Sequence, residues 1–99
     1  MIYQFHPKAL VEYDEAADHY KGRQPGLELR FINAVQSAIG KICETPERWR
    51  RFDGDVRRYL VHVFPYIILY TIEPEGFIYI IGVMHAHREP GYWKKRIGQ

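Results

Sequence analysis

The sequence predicts an α+β fold in which two helices form a hairpin packed on one face of a small antiparallel sheet. Three observations predict it. Apolar residues recur at helical spacing through the first half, and the pattern is interrupted once, at Pro25-Gly26. The second half is rich in Ile, Val, Tyr and Phe, in short runs separated by Pro and Gly, which is the composition of strands and turns. The links between those runs are too short for crossovers, so the strands must meander antiparallel. Helices grouped before strands give segregated layers, and the predicted order is β-α-α-β-β-β. The 99 residues suffice for one domain, spanning 1–99.

Ile2 to His6 reads as a short strand, with Ile2, Gln4 and His6 alternating against Tyr3 and Phe5. Pro7 suits the first turn of a helix, where its missing N–H costs nothing. Leu10, Tyr13, Ala16, Ala17 and Tyr20 supply the stripe of that helix, and Glu12, Asp14, Glu15 and Asp18 its polar face, with the early acids suiting the positive end of the dipole. Arg23-Gln24-Pro25-Gly26 is a turn. A second helix runs from about Leu27 to Glu44 on Leu27, Phe31, Ala34, Val35, Ala38, Ile39 and Ile42, and Thr45-Pro46 ends it. Pro46 to Asp55 reads as a polar connection interrupted by Trp49 and Phe52. Three strands follow, Val56 to Phe64, Tyr66 to Glu73 and Phe77 to Ala86, punctuated by Pro65 and Pro74-Glu75-Gly76. The tail, Arg88 to Gln99, has room for a last helical turn and is expected to fray at its end.

The strands Tyr66–Ile72 and Phe77–Met84 are apolar on both faces, while the helices can cover only one. Either the tail or a partner must cover the other, because large bare apolar patches are rare in stable monomers. A hydrophobic fraction of 46% excludes a disordered chain. A net charge of +2 falls short of the strongly basic balance of a dedicated nucleic-acid binder. The cations nevertheless cluster, at Arg48, Arg50, Arg51, Arg57 and Arg58 and again at Arg88, Lys94, Lys95 and Arg96, which points to one basic working face. Cys43 is the sole cysteine, reads as a buried thiol in a helix-like stretch and suits a reducing compartment. The N-terminal residues lack the charged and apolar regions of a signal peptide, and the longest apolar run is far short of a membrane span, so a cytoplasmic protein is expected.

The segment richest in chemistry is His85-Ala86-His87-Arg88-Glu89-Pro90-Gly91-Tyr92-Trp93-Lys94-Lys95-Arg96, where the last strand ends. His85 and His87 alternate and should share a face, which Arg88 and Tyr92 can join. A base that takes a 2′-OH proton and a cation that stabilises phosphorane charge are what RNA cleavage requires, making these four the candidate catalytic set. Structural roles are the competing reading: polar caps at a sheet edge, or aromatics pinning the tail. Arg57, Arg58 and His62, on the first meander strand, are placed to face the same cleft. With Lys94, Lys95 and Arg96 they form the candidate set for binding a target or partner. No metal or cofactor is expected, since a third ligand to His85 and His87 would have to be His62 or a distant acid.

The chain resembles the RelE/ParE toxin superfamily, more closely its ParE-like plasmid-stabilisation branch. The resemblance runs over nearly all residues. It is carried by Tyr3-Gln4-Phe5-His6-Pro7-Lys8-Ala9, Gln24-Pro25-Gly26-Leu27, Val56-Arg57-Arg58-Tyr59-Leu60-Val61, Phe64-Pro65-Tyr66 with Tyr70, and His85-Ala86-His87-Arg88-Glu89-Pro90-Gly91-Tyr92-Trp93. It implies the fold read above and a growth-arresting toxin neutralised by a cognate antitoxin that wraps it. It leaves two targets, with a non-toxic RNA- or protein-binding relative as the remaining alternative. ParE-like members inhibit DNA gyrase and are not nucleases, whereas RelE-like members cut messenger RNA on the ribosome. Tyr92 matches the tail tyrosine of the RNA-cleaving branch. Two arginines of that branch are replaced by Ile67 and Ala86, so gyrase inhibition is the favoured reading. The antitoxin is expected on the sheet face opposite the helical hairpin, and a homodimer is compatible with the sequence.

Overall fold

The computed structural model describes residues 1–89 and 91–97. Pro90, inside the closing motif, and Gly98 and Gln99, where fraying is expected, lie outside the described residues. The elements are β1 (Ile2–Phe5), α1 (Pro7–Arg23), α2 (Leu27–Glu44), β2 (Arg51–Asp53), β3 (Val56–Leu60), β4 (Tyr66–Glu73) and β5 (Phe77–His85), followed by a 3-10 turn at Lys94–Arg96. The sheet has the order β1-β5-β4-β3-β2. The α+β fold is the one expected, with two additions. The stretch read as a polar connection contains β2, a strand of three exposed residues that is too short to show an alternating pattern. And β1 pairs parallel to β5, with Ile2 opposite Phe77 and Phe5 opposite Ile80, so the hairpin serves as part of a long crossover and the sheet is mixed.

Helix α1 is capped by the His6 side chain, whose Nδ1 accepts the Lys8 N–H at 3.0 Å, and Pro7 sits where proline is tolerated. Its first turn holds no acid, so the dipole contribution expected there is absent; Lys21 and Arg23 in the last turn do suit the negative end. Its stripe is shifted from the expected one. Ala9, Tyr13 and Ala16 are buried, Leu10 is exposed, and Glu12 turns inward. Gly26, at φ 91°, turns the chain into α2, a left-handed conformation in which a side chain would be strained. Cys43 is half-buried rather than buried.

The sheet carries a core on each face. Towards the hairpin, Phe31, Val35, Ile39 and Ile42 pack on Ile68, Tyr70, Ile78, Ile80 and Val83. On the other face Val56, Leu69, Ile81 and Met84 are covered by Trp93, which is 1% exposed, with Tyr92 and Ile97 packed beside it. Of the two ways to cover this face, the chain uses its own tail. Strand β3 ends at Leu60 rather than Phe64 because Val63 adopts φ 74°, which an extended strand cannot accommodate.

Candidate functional site

The arrangement of the candidate residues follows from one irregularity in β5. Leu69 of β4 faces Gly82, and its neighbour Tyr70 faces Ile80, so Ile81 is an extra residue, a β-bulge. A bulge of one residue reverses which face each later side chain occupies. Before it, Ile78 and Ile80 face the hairpin; after it, Val83 does, and Met84 faces the tail. His85 is thereby delivered to the hairpin side, where its ring lies 5.4 Å from that of Tyr66, while Ala86 comes to the tail side.

His85 and His87 stay together as expected, their rings 5.4 Å apart and exposed, and the His87 N–H donates to His85 Nδ1 at 3.1 Å. That bond makes Nδ1 an acceptor and leaves Nε2 as the outward nitrogen. Tyr92 does not join them. Its ring takes the Arg88 guanidinium at 3.9 Å and the Arg96 guanidinium at 4.8 Å from its centroid. Its hydroxyl is buried beside Glu12 without a well-formed hydrogen bond. Burial, reinforced by the Glu12 carboxylate, pushes the phenol well above its ordinary pKa. Gly82 makes room for it: a Cβ there would stand 3.3 Å from the hydroxyl. The four residues predicted to converge are therefore divided between the two sides of the sheet, with exposed Arg88 at the boundary.

The second predicted set is divided too. Arg57 and Arg58 are neighbours on a strand and must point to opposite faces. Arg57 donates to the carbonyls of Glu47 at 3.1 Å and Trp49 at 2.7 Å, anchoring the α2–β2 loop. Arg58 lies on the tail face with its guanidinium 5.5 Å from the Phe52 ring. His62 is exposed in the β3–β4 connection and lines neither cleft described below. Lys94 pairs at 3.4 Å with Asp53, and Lys95 is exposed.

Arg96 is engaged inside the fold. It makes a two-point pair with Glu12 at 2.8 and 3.0 Å, their side chains 10% and 12% exposed. Its Nη1 also donates to the Ile81 carbonyl at 2.9 Å, and Glu12 accepts the Val83 N–H at 3.0 Å. The last rung from the β1 segment to β5 is the His6 N–H to the Ile80 carbonyl. Beyond it, the Glu12–Arg96 pair satisfies the β5 backbone and ties α1 to the tail. Sequence analysis placed Glu12 on the polar face; its position three residues after Ala9 and four before Ala16, at the margin of the buried stripe, was the available signal.

Two clefts flank Arg88. On the hairpin side a shallow one is lined by Glu12, Glu15, His19, Tyr66, His85 and Arg88. On the tail side a cleft of about 240 Å³ has Ile67, Leu69, Met84 and Ala86 as its floor, Phe52 and Trp93 as walls, and Arg58 and Arg88 at its rim. A wider groove of about 720 Å³ beside the tail is of mixed charge, with Asp53, Asp55 and Glu73 facing Lys94. Among the described residues no group of three or more His, Cys, Asp or Glu is placed to hold a metal ion, and no helix is long and apolar enough to cross a membrane.

Comparison with known proteins matches residues 3–90 to the family described as the ParE toxin of the type II toxin–antitoxin system, parDE. Among solved structures, the chain is similar to the chromosomal ParDE system of P. aeruginosa, with TM-score 0.76 and 17% identity over 86% of this chain and 95% of that one. It is similar also to isolated E. coli RelE toxin, with TM-score 0.61 and 21% identity over 98% of each chain. A RelE double mutant in complex with an antitoxin RelB peptide, also from E. coli, gives TM-score 0.61 and 16% identity over 99% of this chain and 95% of that one. No curated protein matches the chain at a significant level.

Proposed function

Because the chain belongs to the ParE toxin family of type II toxin–antitoxin systems, we propose that it arrests growth by binding DNA gyrase rather than by cutting RNA, and that a cognate antitoxin neutralises it. The observation that carries this reading is the division of the candidate catalytic set. A general base must come within hydrogen-bond reach of the proton it removes, with the charge-stabilising groups around the same reacting atom. Here the histidines face the hairpin side, the Tyr92 hydroxyl is buried on the other, and Ile67 and Ala86 form an apolar floor where resemblance to the RNA-cleaving branch implies arginines. A protein-binding toxin has no such requirement. An apolar cleft with arginines at its rim is the usual form of an interaction hot spot. The similar structures include a ParDE pair and a RelE–RelB peptide complex, which supports an antitoxin as partner. A ribonuclease reading retains one observation, that His85, His87 and Arg88 are all exposed at the end of β5.

Inducing the protein alone in bacteria tests the reading. Growth is expected to stop, the SOS response to rise and gyrase to be trapped on DNA, while messenger RNA stays intact. Co-expression of the adjacent gene should relieve the arrest. Codon-dependent cleavage of ribosome-bound messenger RNA without a gyrase effect would reverse the choice of target. Unimpeded growth at high soluble expression would end the toxin reading.

A further inference from the structure

The two outer strands of the sheet meet solvent differently. Strand β2, at one end of the order, is three residues long and carries Arg51 and Asp53. Short, charged edge strands resist pairing with other chains. The part of β5 that runs past β1 is closed by side chains, the Val83 N–H donating to Glu12 and the Ile81 carbonyl accepting from Arg96. Strand β1, at the other end of the order, has no such guard. It holds no charge, proline or bulge, and Ile2 is 70% and Tyr3 38% exposed. Along an edge strand the backbone of alternate residues turns into the sheet and out to solvent. The His6 N–H goes to the Ile80 carbonyl, so Ile2 and Gln4 also turn towards β5, and Tyr3 and Phe5 turn outwards. Beyond the sheet ladder, no backbone hydrogen bond among the described residues engages the N–H or carbonyl of Tyr3 or Phe5.

We infer that β1 is a self-association edge, to which a second copy of this chain adds its own β1, antiparallel, about a twofold axis at Gln4. Outward-turned residues of an antiparallel pair bond to one another. An axis at Gln4 sets Tyr3 opposite the partner's Phe5, and every outward N–H and carbonyl of the two strands is then bonded. An axis at Tyr3 brings in Met1, whose ammonium is held by the Cys43 carbonyl, and an axis at Phe5 brings in Pro7, which has no N–H. The same register is self-complementary in its side chains. On the hairpin face the Tyr3 and Phe5 rings, 5.8 Å apart within one chain, meet those of the partner as cross-strand aromatic pairs. On the other face Gln4 meets the partner's Gln4, amide against amide, and Ile2 meets the partner's His6. No like charges face each other on the paired strands. A strand that matches its own copy in length and register makes an isologous contact, which closes as a dimer. The axis stands normal to the sheet, so both hairpins lie on one side and both tails on the other. The inference is independent of the toxin reading.

Sedimentation equilibrium of the purified full-length protein over a concentration series tests the inference. A monomer–dimer equilibrium is expected, weak because so short a strand pair lies at the small end of interface sizes. Gln4→Glu and Gln4→Lys each set like charges across the axis from an exposed position. Each is expected to raise the dimer Kd on the order of five-fold, with circular dichroism unchanged. Mixing the two variants in equal amounts sets opposite charges across the axis and should return Kd to within about two-fold of wild type. Hydrogen exchange gives a reading that needs no variant, so the test holds even if a substituted chain fails to fold. The Tyr3 and Phe5 amides should exchange more slowly as concentration rises, while the Gln4 amide, bonded to β5, is protected throughout. A chain that stays monomeric up to about 1 mM overturns the inference. So does a dimer that neither substitution weakens, or that the mixed variants fail to restore. Protection of the Tyr3 and Phe5 amides that appears only on adding the antitoxin encoded beside this chain also overturns it, and gives the edge to that partner.

Discussion

Tyr70 and Tyr92 bury the same hydroxyl in two different ways, and the difference is measurable. Tyr70 donates to the Pro46 carbonyl at 2.7 Å, whereas the Tyr92 hydroxyl has no well-formed bond. Removing a satisfied group leaves its partner bare, while removing an unsatisfied one relieves a desolvation cost. Tyr70→Phe should therefore cost about 1–2 kcal/mol in urea denaturation, and Tyr92→Phe should be neutral or slightly stabilising. Equal losses would show that the Tyr92 hydroxyl has a partner after all. Burial raises the Tyr70 pKa from 10.0 to about 12, and that of Tyr92 rises as well. The folded state then holds these protons more tightly than the unfolded state. The stability they contribute is complete below pH 10.0 and falls as pH rises towards about 12. Tyr70→Phe should show a shallower alkaline loss when followed by circular dichroism. The Glu12–Arg96 pair gives a third test at this scale. Arg96→Met strands a half-buried carboxylate and should cost about 3–5 kcal/mol. The double variant Glu12→Leu/Arg96→Met should recover only part of that, because the Val83 N–H and the Ile81 carbonyl also lose their partners.

Among the elements, the β3–β4 connection holds the chain's one strained position among the described residues. Val63 is the only non-glycine residue there with positive φ, at 74°, and it is 76% exposed. A β-branched side chain in that conformation costs about 1–2 kcal/mol, of which glycine recovers part after its own entropy loss. Val63→Gly should raise stability by about 0.5–1 kcal/mol, seen as a Tm increase of a few degrees. A fall in Tm would show that the exposed valine makes a contribution that outweighs the strain. The spans of α1, α2, β4 and β5 were legible because each is long enough to display its period. The end of β3 was misplaced because nothing in Val61-His62-Val63 signals a left-handed residue. The bulge was equally hidden: Ile80, Ile81, Val83 and Met84 are all apolar, so a reversal of faces leaves the pattern unchanged. That reversal is what separates His85 from the tail-side cleft, and it explains why four residues close in sequence do not form one site.

For the whole molecule, the two cores are small and the domain is short, so its stability is sensitive to anything that binds only the folded state. Antitoxin at about 100 times Kd should add about 2.7 kcal/mol, which for a domain of this size raises Tm on the order of 10 °C. Calorimetry of the protein alone and with its antitoxin checks this, and an unchanged Tm at saturation would mean that the antitoxin binds the unfolded chain equally well. The sequence by itself determined the hairpin, the meander, the apolar character of both sheet faces and the family, because these are written in local periodicity, turn residues and motif order. It also posed tail or partner as the cover for the second face and favoured a partner there, whereas the tail packs on that face. Only the tertiary structure decided that the tail covers it, that Glu12 and Arg96 meet across 84 positions of chain, that β1 joins β5 in parallel, and that Arg58 and Arg88 flank one cleft while Arg57 is spent on a loop. Those outcomes depend on which side chains meet across the sheet, a property of register and bulge that no local pattern in this chain encodes.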